Sequence, residues 1–274
     1  EPKTPIEKID VPVEDGVYYA DIDLLQASNP NQYSMGNAAL RGSTSFKQKQ
    51  PDDTYSKSIV VVKDNKATAI VEFMPMGYIG RYGFMMELES VDARHLTQWG
   101  GVYDGDAAFT PANVLAKHMS SDGKTVYDAY NDPESVDCFN GNKTRPAGFG
   151  YDYERTVDIS DQSYSHILAL DVTPIHICFA NNDPGIPADI SEYTRDNAAY
   201  VHVFVPVMFS ISPTSGDQYA RLMVDWSTLE KIEEPEKNLQ YALWSAKQIE
   251  QNDYTNASYT CLLYTSPSPR DYAA

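Results

Sequence analysis

Side chains able to do chemistry are plentiful in this chain but sparsely ordered. Five histidines (His95, His118, His166, His176 and His202) stand too far apart to pair as metal ligands on one strand, His166 and His176 coming nearest at a spacing of ten. Each therefore reads as a structural or exposed histidine. Asp104-Gly105-Asp106 and the acidic stretch 158–161 lack the Asp-x-Asp-x-Asp-Gly register of a calcium loop and read as solvated loops. Phosphate-cradling, dinucleotide, zinc-protease and nucleophile-elbow signatures are missing from the sequence. Carboxylates are so numerous that no pair ranks as acid and base, so the residues do not support an enzyme. Two short stretches remain. In 219–226, strand alternation puts Tyr219, Arg221, Met223 and Asp225 on one face and Ala220, Leu222, Val224 and Trp226 on the other. The second set is a core face; the first is a face on which a pocket can be built. Ser34-Met35 opens a run of small residues with the look of a short helical turn.

Composition narrows the partners. With 274 residues, the chain allows one large domain or a domain with an appendage. Lys+Arg 21 against Asp+Glu 39 gives a net charge of −18, and no basic run interrupts it, so nucleic acid and anionic membranes are poor partners. Hydrophobic residues at 42% and 20 tyrosines exclude an acidic disordered chain. No stretch approaches the length of a transmembrane span, and the sequence opens on Glu1 without Met and without a charged-then-apolar signal segment, so the start is expected to be a trimmed or truncated edge. Cys138, Cys178 and Cys261 show no metal-ligand spacing, and their odd number argues against a disulfide framework, though Cys138–Cys178 pairing stays open.

The elements that must position those residues are mostly strands. Residues 1–10 read as a linker. Residues 17–25 alternate apolar and polar side chains, the period of one half-buried strand. Stretches 58–62 and 67–73 flank Lys63-Asp64-Asn65-Lys66 and predict a hairpin. Residues 78–91 read as another strand pair or as a strand following a Gly-rich bend, and strands are expected at 167–179, 199–209 and 219–226. Residues 92–163, rich in Gly, Asn, Asp and Tyr, read as an insertion over one end of the core, with a short helix at 111–118. Short strands with Gly/Pro-rich connections predict an all-β antiparallel sandwich. Residues 233–250, with Pro235 early and Leu239, Leu243, Ala246 and Ile249 at helical spacing, predict an amphipathic helix that starts a separate module over 233–260.

Two segments of the expected sandwich resemble the near-iron-transporter (NEAT) family of Gram-positive surface haem-binding domains. One runs from Asp15-Gly16-Val17-Tyr18 through Ser34-Met35-Gly36-Asn37-Ala38-Ala39-Leu40 to Ile59-Val60-Val61-Val62-Lys63-Asp64-Asn65-Lys66-Ala67-Thr68; the other joins the 200–208 and 219–227 stretches. The resemblance covers about 11–90 and 165–230, and it implies an immunoglobulin-like β-sandwich over 11–232 that carries the long insertion. Asn238-Leu239 through Ser258-Tyr259 resembles the first part of a FIVAR-type helical repeat. The string CLLYTSPSPRD at 261–271 is similar to a translated sequencing adaptor, so 261–274 is expected to be an artefactual tail, with Cys261 dropped from the cysteine arithmetic.

In haem-binding members of the family, a Ser-Met pair on a helical turn covers one face of the porphyrin, and a YxxxY motif supplies a ligand tyrosine and its partner. Ser34 and Met35 match the first element; on their own chemistry they read equally as a helix cap and a core residue. The second element matches as Tyr219-Ala-Arg-Leu-Met223, with Met in the partner's place. Alignment on Arg221-Leu222 instead puts Thr214 and Gln218 at the two positions and leaves no ligand. A phenolate from Tyr219 suits ferric iron because a hard anion stabilises the oxidised state; the alternative is an exposed cross-strand tyrosine. Haem propionates are anionic too, so capture by this acidic chain would draw on apolar contact and on Arg41 or Arg221.

The resemblance thus implies a non-catalytic module at the cell surface or cell wall, with Ser34, Met35, Tyr219 and Met223 holding haem and Tyr219 as iron ligand. Its partners would be haem or a haemoprotein and other surface haem-relay domains. The alternative is a diverged sandwich, its haem coordination lost, that binds a protein or glycan through its tyrosines and the insertion. A surface hydrolase with an acid pair in the insertion is a third reading.

Overall fold

The computed structural model describes residues 10–27, 32–45, 57–78, 81–83, 85, 87–92, 95–96, 108–117, 144–145, 155–156, 165–174, 178–179, 198–205, 208 and 217–248. The expected strands fall mostly within this set. In chain order they are β1 (Gly16–Ala20), β2 (Ile22–Gln26), β3 (Ser58–Lys63), β4 (Lys66–Glu72), β5 (Met76–Tyr78), β6 (Arg81–Gly83), β7 (Glu87–Asp92), β8 (His95–Leu96) and β9 (Ala108–Pro111). They continue as β10 (Asn113–Lys117), β11 (Thr144–Arg145), β12 (Arg155–Thr156), β13 (Ser165–Asp171), β14 (Cys178–Phe179), β15 (Ala198–Phe204), β16 (Asp217–Val224) and β17 (Glu230–Lys231). One α-helix, α1 (Leu239–Lys247), follows.

Two antiparallel sheets face each other in an immunoglobulin-like β-sandwich. One has the order β10-β13-β4-β3-β1-β17 and the other β2-β16-β15-β7-β9. Between them lie Val60, Val62, Ala69, Val71, Leu168 and Leu170 from the first sheet and Leu88, Val201, Val203, Leu222 and Val224 from the second, all buried in one apolar core. No helix among the described residues is long and apolar enough to cross a membrane.

The β3–β4 hairpin forms where its turn chemistry predicts. Asp64 and Asn65 both adopt positive φ, 52° and 58°, the two-residue turn whose twist matches that of the flanking strands. The Asn65 amide also holds the chain entering β1: its Oδ1 accepts from Val11 N at 2.8 Å and its Nδ2 donates to Asp10 Oδ1 at 2.9 Å. β3 is buried on both faces from Ser58 to Val62, which accounts for its unbroken Ile59-Val60-Val61-Val62 run.

Two expectations are corrected. Residues 17–25 form two strands, with β1 in the first sheet and β2 in the second, parted at Asp21. Asp21 N donates to Thr228 Oγ1 at 3.1 Å, and its carbonyl accepts from Asp225 N at 2.9 Å, so the corner is pinned by the turn after β16. The alternation survives the corner, because Tyr18, Ala20, Ile22 and Leu24 all enter the same core, and the sequence therefore reads as one strand. The helix expected at 111–118 is instead β10. Its Leu, Ala and Lys favour a helix, but pairing with β13 at the sheet edge and burial of Leu115 override that preference. β9 and β10 thus extend both sheets from within the stretch expected to be an insertion; most of the rest of that stretch lies outside the described residues.

The helical segment expected after the sandwich begins with Pro235 in a 3-10 turn and continues as α1, where Asn238 Oδ1 caps Gln240 N at 2.9 Å and Tyr241 N at 3.2 Å. Tyr241, Leu243 and Trp244 of α1, with Ile232, pack on Val17, Ile59, Val61, Ile70, Ile167 and Ala169, the outward side chains of the first sheet. That sheet is therefore buried on both faces. The tail 261–274, Cys138 and the later part of the FIVAR-like stretch lie outside the described residues.

Candidate ligand-binding face

The outward side of the second sheet has a different chemistry. On β16, Ala220, Leu222 and Val224 enter the core, while Tyr219, Arg221 and Met223 take the other face, as alternation predicts. β15 contributes Tyr200, His202 and Phe204 there, and β7 contributes Glu87 and Glu89. Most of this face is itself buried: Tyr219 keeps 6% of its surface exposed, Arg221 2% and His202 none.

Aromatic packing holds Tyr219. The register sets it opposite His202, with ring centroids 5.3 Å apart. Tyr200 stacks on it at 5.6 Å and 19°, and Phe109 of β9 lies at 6.4 Å. Burial pushes the Tyr200 hydroxyl well above its usual range, Tyr219 adds to the rise and the Arg221 guanidinium partly opposes it, so Tyr200 is a neutral phenol at physiological pH. His202 Nδ1 lies 2.9 Å from Glu89 Oε2, inside the sheet's buried surface. Arg221 Nε donates to the Gln26 carbonyl at 3.4 Å, which ties it back to β2.

Ser34 and Met35 lie at the edge of the same sheet. Ser34 caps the 3-10 turn Met35–Ala38, its Oγ accepting from Gly36 N at 3.3 Å, and its own N–H donates to the Leu24 carbonyl at 2.8 Å. A Cβ on Gly36 would come within 3.0 Å of Leu24 Cδ2, so glycine lets the turn settle close against β2. Met35 is 50% exposed and Tyr33 beside it 47%, so Met35 is not a core residue. Asn37 fastens the turn: fully buried, its Oδ1 accepts from Leu24 N at 2.7 Å, and its Nδ2 donates to Asp23 Oδ1 at 3.0 Å and Ser45 Oγ at 2.9 Å. Asp23 in turn pairs across the sheet with Met223.

Of the four residues expected to hold a ligand, Tyr219 and Met223 therefore lie on the second sheet, and Ser34 and Met35 lie in the turn fastened to its edge strand β2. Met223 stands one strand in from the turn that carries Ser34 and Met35, and Tyr219 lies four residues back along β16, about 13 Å at the rise of an extended strand. Arg41, expected as a cation near the ligand, is engaged elsewhere, its Nη1 reaching Glu72 Oε1 at 2.8 Å and Oε2 at 2.9 Å. Thr214, the rival position in the other alignment, lies outside the described residues; Gln218 belongs to β16 opposite Val203.

Sequence reasoning missed Tyr200, Glu87, Glu89 and Phe109 and treated His202 as a lone histidine. Its one usable signal was alternation, since Tyr200 and His202 sit two apart on β15, as do Glu87 and Glu89 on β7. His202 and Glu89 are 113 positions apart, and nothing local announces their pairing.

An antiparallel β-sandwich with a buried aromatic and ionisable face on its second sheet is the class these observations define. No family model matches the sequence, and no curated protein does. Among solved structures, a mutant IsdX2-NEAT5 in complex with heme is similar at a TM-score of 0.34 and 10% identity, over 78% of this chain and 97% of that one.

Proposed function

We propose that this chain is a NEAT-type binding module that takes up haem on the outer edge of its second sheet and passes it on unchanged, outside the cell and at its surface. The observation that carries the reading is the arrangement of Tyr219 and Met223 on one face of β16 beside the strand to which the Ser34–Met35 turn is fastened. The donor set fits haem chemically: a phenol able to become a hard anionic ligand, and an exposed, adaptable thioether able to lie on a porphyrin. Tyr219 would have to leave its packing against Tyr200 and His202 to reach iron. Haem or a haemoprotein would be the source, and further surface haem-relay domains the recipients.

Titration of the protein with ferric haem tests this. A saturable one-to-one Soret shift is expected, with affinity at least about tenfold weaker in Tyr219→Phe, which keeps the ring and removes only the oxygen. Absence of a saturable shift in the wild type would sink the reading.

One observation favours a second reading. Tyr219 packs tightly among three other rings, as a structural tyrosine does, which suits a sandwich that has lost haem and binds a surface protein or glycan. On that account Tyr219→Phe changes no ligand binding, and deletion of 118–143 abolishes it.

A further inference from the structure

We infer that the second sheet holds a site for a divalent first-row transition metal, built from Glu87, Glu89 and His202. The inference is independent of the haem reading, since none of its donors belongs to the set expected to hold haem. Glu89 and His202 are direct cross-strand partners, and Glu87, two residues before Glu89, projects from the same face of β7. One ligand atom from each of the three lies within 4.8 Å of the other two.

That spacing suits a shared ion. Two ligands each about 2.1 Å from a metal stand about 3 Å apart when they are at right angles and about 4.2 Å when they are opposed. The 2.9 Å between His202 Nδ1 and Glu89 Oε2 falls at the short end of this span, and a Glu87 carboxylate oxygen lies within 4.8 Å of both. Charge points the same way. Two carboxylates and a neutral imidazole around a divalent cation are electroneutral, the condition under which charged groups tolerate a buried position.

The donor types choose the metal. An imidazole beside two carboxylates suits manganese, iron or zinc, whereas calcium and magnesium prefer all-oxygen shells. His202 is fully buried and Glu89 nearly so, while Glu87 is half-buried and gives the site its approach. Phe109 packs edge-on against the imidazole, with centroids 6.1 Å apart at 89°, and holds the ring's orientation.

The test uses the full chain, stripped with chelator and titrated with cobalt(II), whose visible d–d bands strengthen when protein ligands displace water. One equivalent should bind with enhanced bands, zinc should displace it, and Glu87→Gln should weaken binding at least about tenfold. That variant is the deciding one, because Gln preserves size at a half-buried position and changes the net charge by only one. His202→Gln should remove the enhanced bands as well. Spectra no different from the aqua ion in the wild type, or equal affinity in Glu87→Gln, would overturn the site and leave the haem titration unaffected.

Discussion

Asn37 illustrates how one buried amide can locate a candidate site. Its three side-chain hydrogen bonds join the Met35–Ala38 turn to β2 and to Ser45, so they fix where Met35 emerges. Asn37→Ala strands the Leu24 N–H inside the protein and should lower stability by about 1–3 kcal/mol in urea unfolding. An unchanged midpoint would show that the turn is held by other means. Tyr200 gives a pH signature. Its folded pKa is raised, so its contribution is complete below the ordinary value of 10.0 and is lost as pH climbs towards the folded value, because the unfolded chain releases the proton first. Above that ordinary value, wild-type stability should fall more steeply with pH than that of Tyr200→Phe; parallel curves would contradict the assignment. The face taken by Tyr219 and Met223 was legible, since alternation is a local property. The Tyr219–Tyr200–His202–Glu89 grouping was not, because it depends on which strands become neighbours.

Elements differ in how much of their structure they carry themselves. The β3–β4 turn carries nearly all of it: Asp64 and Asn65 tolerate the left-handed backbone, and the hairpin was readable from four residues. Asn65→Ala removes the bonds to Val11 and Asp10 and leaves at a φ of 58° a residue without the short polar side chain that eases the left-handed backbone, and it should cost about 1–2 kcal/mol; Asn65→Gly loses the same bonds but adopts that φ freely and should cost less. Equal losses in chemical denaturation would mean that backbone strain plays no part. β10 lies at the other extreme. Its Asn113-Val114-Leu115-Ala116-Lys117 run has the composition of a helix, and it is a strand only because β13, whose residues pair with it from 48 to 56 positions away in sequence, offers an edge. The corner at Asp21 escaped notice for another reason, since the apolar period passes through it without a break.

At the scale of the whole molecule, the net charge of −18 acts with opposite sign on the two proposed ligands. Anionic haem is repelled at long range and cobalt(II) attracted. Raising ionic strength should therefore speed haem uptake and weaken cobalt binding, a contrast that stopped-flow and equilibrium titrations of one preparation can read together. Both dependences running the same way would show that local side chains outweigh the overall field. Antiparallel sandwich class was legible at this scale from strand spacing alone; the burial of both faces of the first sheet was not, because it needed α1 to be seen lying on it. That sheet's last strand has a mechanical consequence. β17 runs antiparallel to β1 with Tyr18 opposite Lys231 and Tyr19 opposite Glu230, so the beginning of β1 and the end of β17 lie at the same end of the pair. Tension drawn between the segment before β1 and the segment after α1 would unzip these bonds one at a time instead of shearing them together. A pulled molecule should shed α1 and β17 in a low-force first step in single-molecule stretching, while the β3–β4 hairpin and the core beneath it stay folded.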